Sequence, residues 1–154
     1  MPQIHVPPES FKAPKKIIPG VYSLRLDGFE QDYSQKRTSI NLNPVLKVVN
    51  NSEFFDRRIK EWLNNLGGWT IIDFSHCFGE HVNGEEDPSV NGIDLPGEFK
   101  NMEDPDPKKW RYEGRMLGRI GQAELAENGT YINIKRYLCA IPGCNIRHSE
   151  NLLR

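Results

Sequence analysis

The chain has 154 residues, of which 37% are hydrophobic and 27% charged, and its formal net charge is −1. This length and composition suit one compact domain with a real core and exclude two full domains. No stretch approaches the roughly 18 uncharged apolar residues of a membrane span, and the first residues lack the basic-then-apolar layout of a secretory signal. We therefore expect a cytoplasmic protein.

The cysteines and histidines predict neither a disulfide framework nor a metal site. Three cysteines are an odd and small number, so free buried thiols are expected at Cys77, Cys139 and Cys144. Zinc prefers nitrogen and sulfur ligands. Ligands of this kind are present at Cys139, Cys144 and His148 and, further upstream, at His76, Cys77 and His81. The repeated Cys-x2-Cys spacing of a zinc domain is missing, so we expect no metal and no other cofactor.

The near-zero net charge conceals an uneven distribution of charge. Residues 80–106 carry nine acids and one base, a net charge of −8. Since the whole chain sums to −1, the remaining residues carry +7. A basic body suits a polyanionic partner, because phosphate contacts release counterions and supply affinity that does not depend on sequence. The alternative is a solvated surface beside a solubilising loop.

The first part of the chain predicts an arm and two strands. Residues 1–16 contain four prolines and indicate an extended arm. Residues 21–29 and 38–49 alternate in hydropathy and predict half-buried strands. Their inward residues are Tyr22, Leu24 and Leu26 in the first strand and Ile40, Leu42, Leu46 and Val48 in the second. Pro44 indicates a bulge or an edge.

The middle of the chain is less regular. Residues 54–66 leave two possibilities open, since Phe55, Ile59, Trp62 and Leu66 fit helical spacing, while a strand over 54–62 would complete a meander. Residues 69–78 predict a short helix, with Thr70 and Asp73 at capping-box spacing and Gly79 at the C′ position. Residues 80–107 combine glycine, proline and acids and predict a long loop inserted into the domain.

Two further strands, over residues 114–127 and 130–140, surround the hairpin signal Asn128-Gly129. Their inward residues are Leu117, Ala123 and Leu125 in the first and Ile132, Ile134 and Leu138 in the second. The order predicts a mainly β fold: a five-stranded OB-like barrel with one short helix between strands 3 and 4 and a long acidic loop. We expect an arm over 1–16, an OB-like domain over 17–141 with its acidic insert at 80–107, and a C-terminal tail over 142–154.

The last predicted strand carries the candidate binding site. If Ile132, Ile134 and Leu138 point inward, then Tyr131, Lys135 and Tyr137 point outward and alternate aromatic with cationic chemistry. Bases stack on aromatic faces and phosphates require cations, so such a face suits single-stranded DNA. Six further cations could extend the groove: Arg25, Lys36, Arg37, Lys47, Arg115 and Arg119. An ordinary amphipathic strand rich in tyrosine is the alternative.

Catalytic motifs give little support for an enzyme. Asp94 followed by Glu98-Phe99-Lys100 is similar to the carboxylate and lysine arrangement of metal-dependent nucleases. It falls in the Gly/Pro-rich insert, whereas that chemistry requires carboxylates on rigid elements. The chain contains no Gly-x-Ser-x-Gly, no P-loop and no Gly-x-Gly-x-x-Gly. We therefore expect no catalytic residues.

Four ordered segments carry a family resemblance: Pro19-Gly20-Val21-Tyr22, residues 69–79 ending in Phe-Gly, Leu117-Gly118-Arg119-Ile120-Gly121-Gln122-Ala123, and Asn133-Ile134-Lys135-Arg136-Tyr137. Together they resemble a family of small phage proteins of mostly unassigned function, over residues 17–79 and 114–140. Members are regarded as single-stranded-DNA-binding proteins of phage replication or recombination.

The resemblance implies an OB-like barrel in the host cytoplasm, with single-stranded DNA and other replication or recombination proteins as partners. It offers no catalytic residue to carry over. The alternative function is a protein-interaction module, or an inhibitor of a host factor, that acts through the acidic insert.

Overall fold

The described chain, residues 3–11 and 16–141 of a computed structural model, is mainly β. Its strands are β1 Gly20–Tyr33, β2 Ile40–Val48, β3 Arg58–Ile59, β4 Leu63–Asn64, β5 Glu98–Lys100, β6 Arg111–Glu113, β7 Ile120–Asn128 and β8 Tyr131–Tyr137. The main sheet has the order β3-β2-β1-β7-β8, with β4 also paired to β2. It forms a nearly closed five-strand antiparallel barrel, consistent with the OB-like barrel predicted from the sequence.

The first two strands bury the predicted faces. Both alternate, and their buried hydrophobic residues include Tyr22, Leu24, Leu26, Leu42, Leu46 and Val48. The register of β1 against β2 shifts at Asp27. Pro44 lies between the β2 residues that pair with β4 and those that pair with β3, so in the described structure that side of Pro44 has no strand partner. This edge position is where a residue without an N–H is tolerated.

Residues 54–66 contain two short strands, β3 and β4, that pair with β2 and complete the meander. In β3, Ile59 pairs with Leu46, and in β4, Leu63 pairs with Leu42. Ile59 and Leu63 are buried. The strand alternative over 54–62 is therefore correct only in part, because only Arg58–Ile59 of that range is a strand and β4 lies beyond it.

Helix α1, Gly68–Cys77, follows β4 and buries most of its second half against the barrel. The predicted capping box is wrong, because the N-cap is Gly67 and no side chain caps the helix. The predicted C′ glycine is confirmed, since Gly79 follows the C-cap Phe78 with φ of +83°. None of the helices in the described part of the chain has the length and apolarity needed to cross a membrane.

The acidic segment, residues 80–107, differs from the plain loop that was predicted. It contains the short helix α2, Pro88–Asn91, and strand β5, which pairs with β6. The Phe99 ring lies 6.3 Å from that of Phe29 and 5.3 Å from that of Tyr112, and Val82 is buried. Val82, Leu95 and Phe99 of this segment are therefore packed on the barrel, while Val90 and Met102 remain exposed.

The predicted β7–β8 hairpin is confirmed, with its turn displaced by one residue. Asn128 pairs with Tyr131, so Gly129 and Thr130 are the two turn residues. Gly129 has φ of +66°, while Thr130 does not adopt a positive φ. Glycine at the first central position is typical of a type II′ turn, which matches the twist of the strands.

Candidate nucleic-acid interface

Strand β8 presents only part of the predicted alternation. Tyr131 and Lys135 are exposed, as expected. The register against β7 then shifts, so that Lys135 is an extra residue between two paired positions. This bulge reverses the alternation and turns Tyr137 into the core, where it is 7% exposed. The predicted outward orientation of Tyr137 is therefore wrong.

The contacts of Tyr137 are those of a core residue. Its ring packs edge-on against Phe74 of α1, with 5.5 Å between centroids. Its hydroxyl donates a hydrogen bond to Glu61, and burial together with that carboxylate raises the pKa of Tyr137 well above its ordinary value. The ring is enclosed and is not available to a base.

Arg25 and Lys47 are cross-strand neighbours whose charges are already compensated. Arg25 Nε lies 2.6 Å from an Asp27 oxygen, and Lys47 Nζ lies 3.7 Å from the other Asp27 oxygen and 3.9 Å from Asp56. The hydrogen bond from Arg25 lowers the pKa of Asp27, against the opposing effect of burial. A phosphate would have to compete with these carboxylates, so both cations are weak candidates.

The other predicted cations lie at separate places. Arg119 pairs with Glu80 at 3.0 Å and donates to the Phe78 carbonyl at 3.1 Å, which ties the turn before β7 to the end of α1. Arg37 lies over the Tyr33 ring, 5.6 Å from its centroid, in the β1–β2 turn beside the exposed Lys36. Arg115 is exposed in the turn before β7. Tyr131 lines a surface cleft, and none of these cations contributes to it.

A different set of cations accompanies Tyr131. A cleft of about 230 Å³ opens along the seam between β3 and β8, the outer strands of the barrel sheet. This seam cleft is lined by Lys16, Ile17, residues 57–60, Trp62 and residues 130–133. Trp62 is 62% exposed and Tyr131 is 68% exposed. Two exposed aromatic rings therefore share one cleft with four cationic side chains, those of Lys16, Arg57, Arg58 and Lys60.

Two of the four cations of the seam cleft form solvent-exposed ion pairs. Lys16 Nζ lies 3.6 Å from Glu127, and Arg58 Nη1 lies 2.7 Å from Glu30. Both pairs are solvent-exposed, and such pairs contribute about 0–1 kcal/mol, so a phosphate can replace either carboxylate at small cost. Lys60 is exposed and forms no ion pair with any residue the structure describes.

Sequence reasoning missed Lys16, Arg57, Arg58, Lys60 and Trp62. The signal was present in residues 57–63, where Arg58, Lys60 and Trp62 alternate with Ile59 and Leu63. It could not be assigned to a face, because the segment fitted helical and extended spacing equally well.

Two further grooves continue from the seam cleft, the second across β2 and β3 and the third along β1 and β2. Trp62 and Arg58 border the second, of about 210 Å³, together with Asn43, whose Oδ1 is buried and has no hydrogen-bond partner among the described residues. Asn43 also lines the third, of about 370 Å³, which ends at Trp110 and Lys108. The face of strands 2 and 3 is the one OB folds use for oligonucleotides, with the strand 4–5 loop at one end.

The cysteines supply no thiolate ligand in the described structure. Cys77 is free and buried, as expected, and burial raises its pKa to about 12. The expectation of a free thiol is wrong for Cys139, which is disulfide-bonded. Cys144 and His148 lie outside the described residues. The two histidines considered beside the cysteines, His76 and His81, lie at the end of α1 and just after it, away from the seam cleft.

Comparisons with protein families, curated proteins and solved structures found no match. The resemblance to small phage proteins therefore stays a hypothesis from the sequence. The fold and the seam cleft together define a small β-barrel with an aromatic and basic surface groove.

Proposed function

We propose that this chain binds single-stranded DNA through the seam cleft, without catalysing a reaction, and supports DNA replication or recombination. The observation that carries the proposal is the presence of Trp62 and Tyr131, both largely exposed, in one cleft with four cationic side chains. Aromatic faces stack on bases of any sequence, and cations follow the backbone phosphates. The connection to phage replication rests on the sequence resemblance.

The chemistry of the cleft favours single strands over duplex. In a duplex the faces of the bases are stacked on one another, so two exposed rings have nothing to stack on. Duplex binding without unstacking would use only the cations. The rings therefore add affinity only for unpaired bases.

Fluorescence anisotropy with a labelled oligonucleotide, single-stranded or duplex, at two salt concentrations tests the proposal. We expect tighter binding of the single strand and weaker binding at higher salt. Trp62→Ala and Tyr131→Ala should each weaken single-strand binding by about 1–3 kcal/mol, the contribution of stacking on one base. Trp69→Ala is the matched control, since Trp69 is a partly exposed tryptophan on α1 outside the cleft. A preference for duplex, or unchanged affinity of both cleft variants, would overturn the proposal.

A protein-interaction role is the second candidate, and the acidic segment favours it. Glu86, Asp87, Asp94 and Glu103 are exposed, and within the described residues they form no ion pairs. Such a surface suits a basic partner. This candidate predicts that neutralising these acids leaves DNA affinity unchanged and abolishes binding to a basic protein, as measured by calorimetry.

A further inference from the structure

We propose that His76, His81 and Glu85 form a binding site for a divalent transition-metal ion of the zinc class. One ligand atom from each residue lies within 4.8 Å of the other two. The cluster lies outside the seam cleft, so this inference does not depend on the proposed DNA-binding function. It departs from the sequence expectation of no metal, which considered the two histidines only as companions of the cysteines.

The distances within the cluster suit a shared metal ion. Nε2 of His76 lies 2.9 and 3.0 Å from the two Glu85 carboxylate oxygens, and Nδ1 of His81 lies 3.3 Å from both. Ligand atoms at 2.0–2.1 Å from a tetrahedral zinc ion are separated by about 3.3 Å. The two imidazoles therefore present nitrogens to one carboxylate at nearly the separation that coordination requires.

The backbone holds two of the three side chains, those of His76 and Glu85, in place. His76 lies in the last turn of α1 and is buried, while Glu85 follows a tight turn in which its N–H donates to the Val82 carbonyl. Gly84 has φ of +93°, and a Cβ there would lie 2.4 Å from the Gly92 carbonyl oxygen. A second contact, the bridge between Asn83 and Asp94, closes the same loop. A site held this way needs little reorganisation to bind an ion.

The charge environment favours a cation at this position. The Glu85 side chain is only 14% exposed, and within the described structure its ion pairs involve only His76 and His81. An imidazole is neutral unless it is protonated, so no permanent positive charge faces this carboxylate. The cluster also lies at the C-terminal end of α1, where the helix dipole attracts positive charge. A divalent ion would satisfy the carboxylate and both nitrogens together.

The donor set determines the class of metal. Two imidazole nitrogens and one carboxylate suit zinc and neighbouring transition metals, whereas magnesium and calcium require mainly oxygen ligands. His81 is 69% exposed at its side chain, so solvent can reach the fourth position. The ordinary alternative is a hydrogen-bonded His–Glu–His network that binds no ion.

Metal titration of the 154-residue chain, stripped with a chelator, tests the site. Zinc is added in competition with a chromophoric chelator, and cobalt is added in parallel to record visible absorption. We expect one equivalent of zinc to bind, a higher melting temperature with zinc, and the absorption of a tetrahedral cobalt site. Magnesium should not compete.

Two histidine variants locate the bound ion. His81→Ala removes an exposed ligand and should lower zinc affinity at least about tenfold while leaving the metal-free melting temperature unchanged. His5→Ala is the matched control, because His5 is exposed and lies outside the cluster. Absence of saturable zinc binding, or unchanged affinity in His81→Ala, would overturn the proposal in favour of a hydrogen-bonded network.

Discussion

The hydroxyl of Tyr137 and the carboxylate of Glu61 join β8 to the segment between β3 and β4, with an O···O distance of 2.5 Å. Glu61 turns inward to make this contact, while the next residue, Trp62, is 62% exposed. The Trp62 N–H also donates to Glu61, at 2.9 Å. The position of one exposed ring of the seam cleft therefore depends on a hydrogen bond made inside the barrel.

Replacing Tyr137 by phenylalanine should destabilise the fold. The change removes one hydrogen-bond donor from a largely enclosed carboxylate and keeps the ring packed against Phe74. We expect the free energy of unfolding in urea to fall by about 1–3 kcal/mol. Tyr131→Phe is the control, since the Tyr131 ring is exposed and should not affect stability. Equal stability of the two variants would show that the hydrogen bond between Tyr137 and Glu61 contributes nothing.

The pH dependence of the free energy of unfolding should reflect the protonation of Glu61. Burial raises the pKa of Glu61, and the hydrogen bonds from Tyr137 and the Trp62 N–H only partly oppose that shift. The folded chain then binds this proton more tightly than the unfolded chain. The resulting stabilisation is complete below the unfolded pKa near 4.5 and is lost as pH rises through the folded value.

We therefore expect the unfolding free energy of the wild type minus that of Glu61→Gln to be largest at acidic pH and to decrease toward neutrality. Urea denaturation at a series of pH values measures this difference. A difference that grows with pH would mean that the fold stabilises the ionised carboxylate instead.

Two lysines should differ in their effect on DNA binding. Lys60 lines the seam cleft, whereas Lys47 lies 3.7 Å from Asp27 and 3.9 Å from Asp56. Each phosphate contact to a single strand contributes about −0.7 to the slope of log affinity against log salt. We expect Lys60→Ala to reduce the slope by about this amount and Lys47→Ala to leave it unchanged, in anisotropy titrations over several salt concentrations. The opposite result would move the interface to the β1–β2 face.

Replacing residues 82–106 by a short Gly/Ser linker should destabilise the protein. The change removes buried Val82 and the Phe99 ring that packs on Phe29 and Tyr112. Loss of these apolar contacts should cost several kcal/mol and lower the midpoint in calorimetry well beyond the few degrees that about 1 kcal/mol represents. The control is the charge-only double variant Glu86→Gln, Asp87→Asn, which should keep the wild-type midpoint. An unchanged midpoint in the linker variant would make the segment a dispensable insert.

Features set by local pattern were predictable from the sequence. The period-two burial of Tyr22, Leu24 and Leu26 and the hairpin at Gly129 depend on neighbouring residues alone. The outward prediction for Tyr137 failed because the bulge at Lys135 adds one residue to β8, and the alternation itself carries no mark of such an insertion.

Features set by distant contacts were not predictable. The neutralisation of Lys47 requires Asp56, which reaches it only through the fold. The sequence alone did not decide whether the segment around Ile59 is helical or extended. The deciding contact is the pairing of Ile59 with Leu46 of β2. The acidic segment packs because Phe29 and Tyr112 offer Phe99 an apolar surface, which composition alone does not reveal.

A close contact between β7 and α1 gives the last prediction. Gly121 is buried in β7, and a Cβ on it would lie 2.6 Å from Cys77 Sγ and 2.7 Å from the Cys77 carbonyl oxygen. The Cys77 thiol donates to the neighbouring Gln122 carbonyl at 3.2 Å. Only glycine permits this approach of helix and strand without displacement.

Gly121→Ala should therefore push α1 away from β7 and lower the free energy of unfolding by about 1–3 kcal/mol, the usual cost of overpacking. Gly68→Ala is the control, since Gly68 is the first residue of α1 and a Cβ there would have its nearest neighbour at 3.9 Å. Burial raises the pKa of the Cys77 thiol to about 12, so it should not react with a thiol reagent in the native wild type. In Gly121→Ala we expect this reaction to accelerate together with the loss of stability. Wild-type stability and an unreactive Cys77 in that variant would show that the helix accommodates a methyl group at this contact.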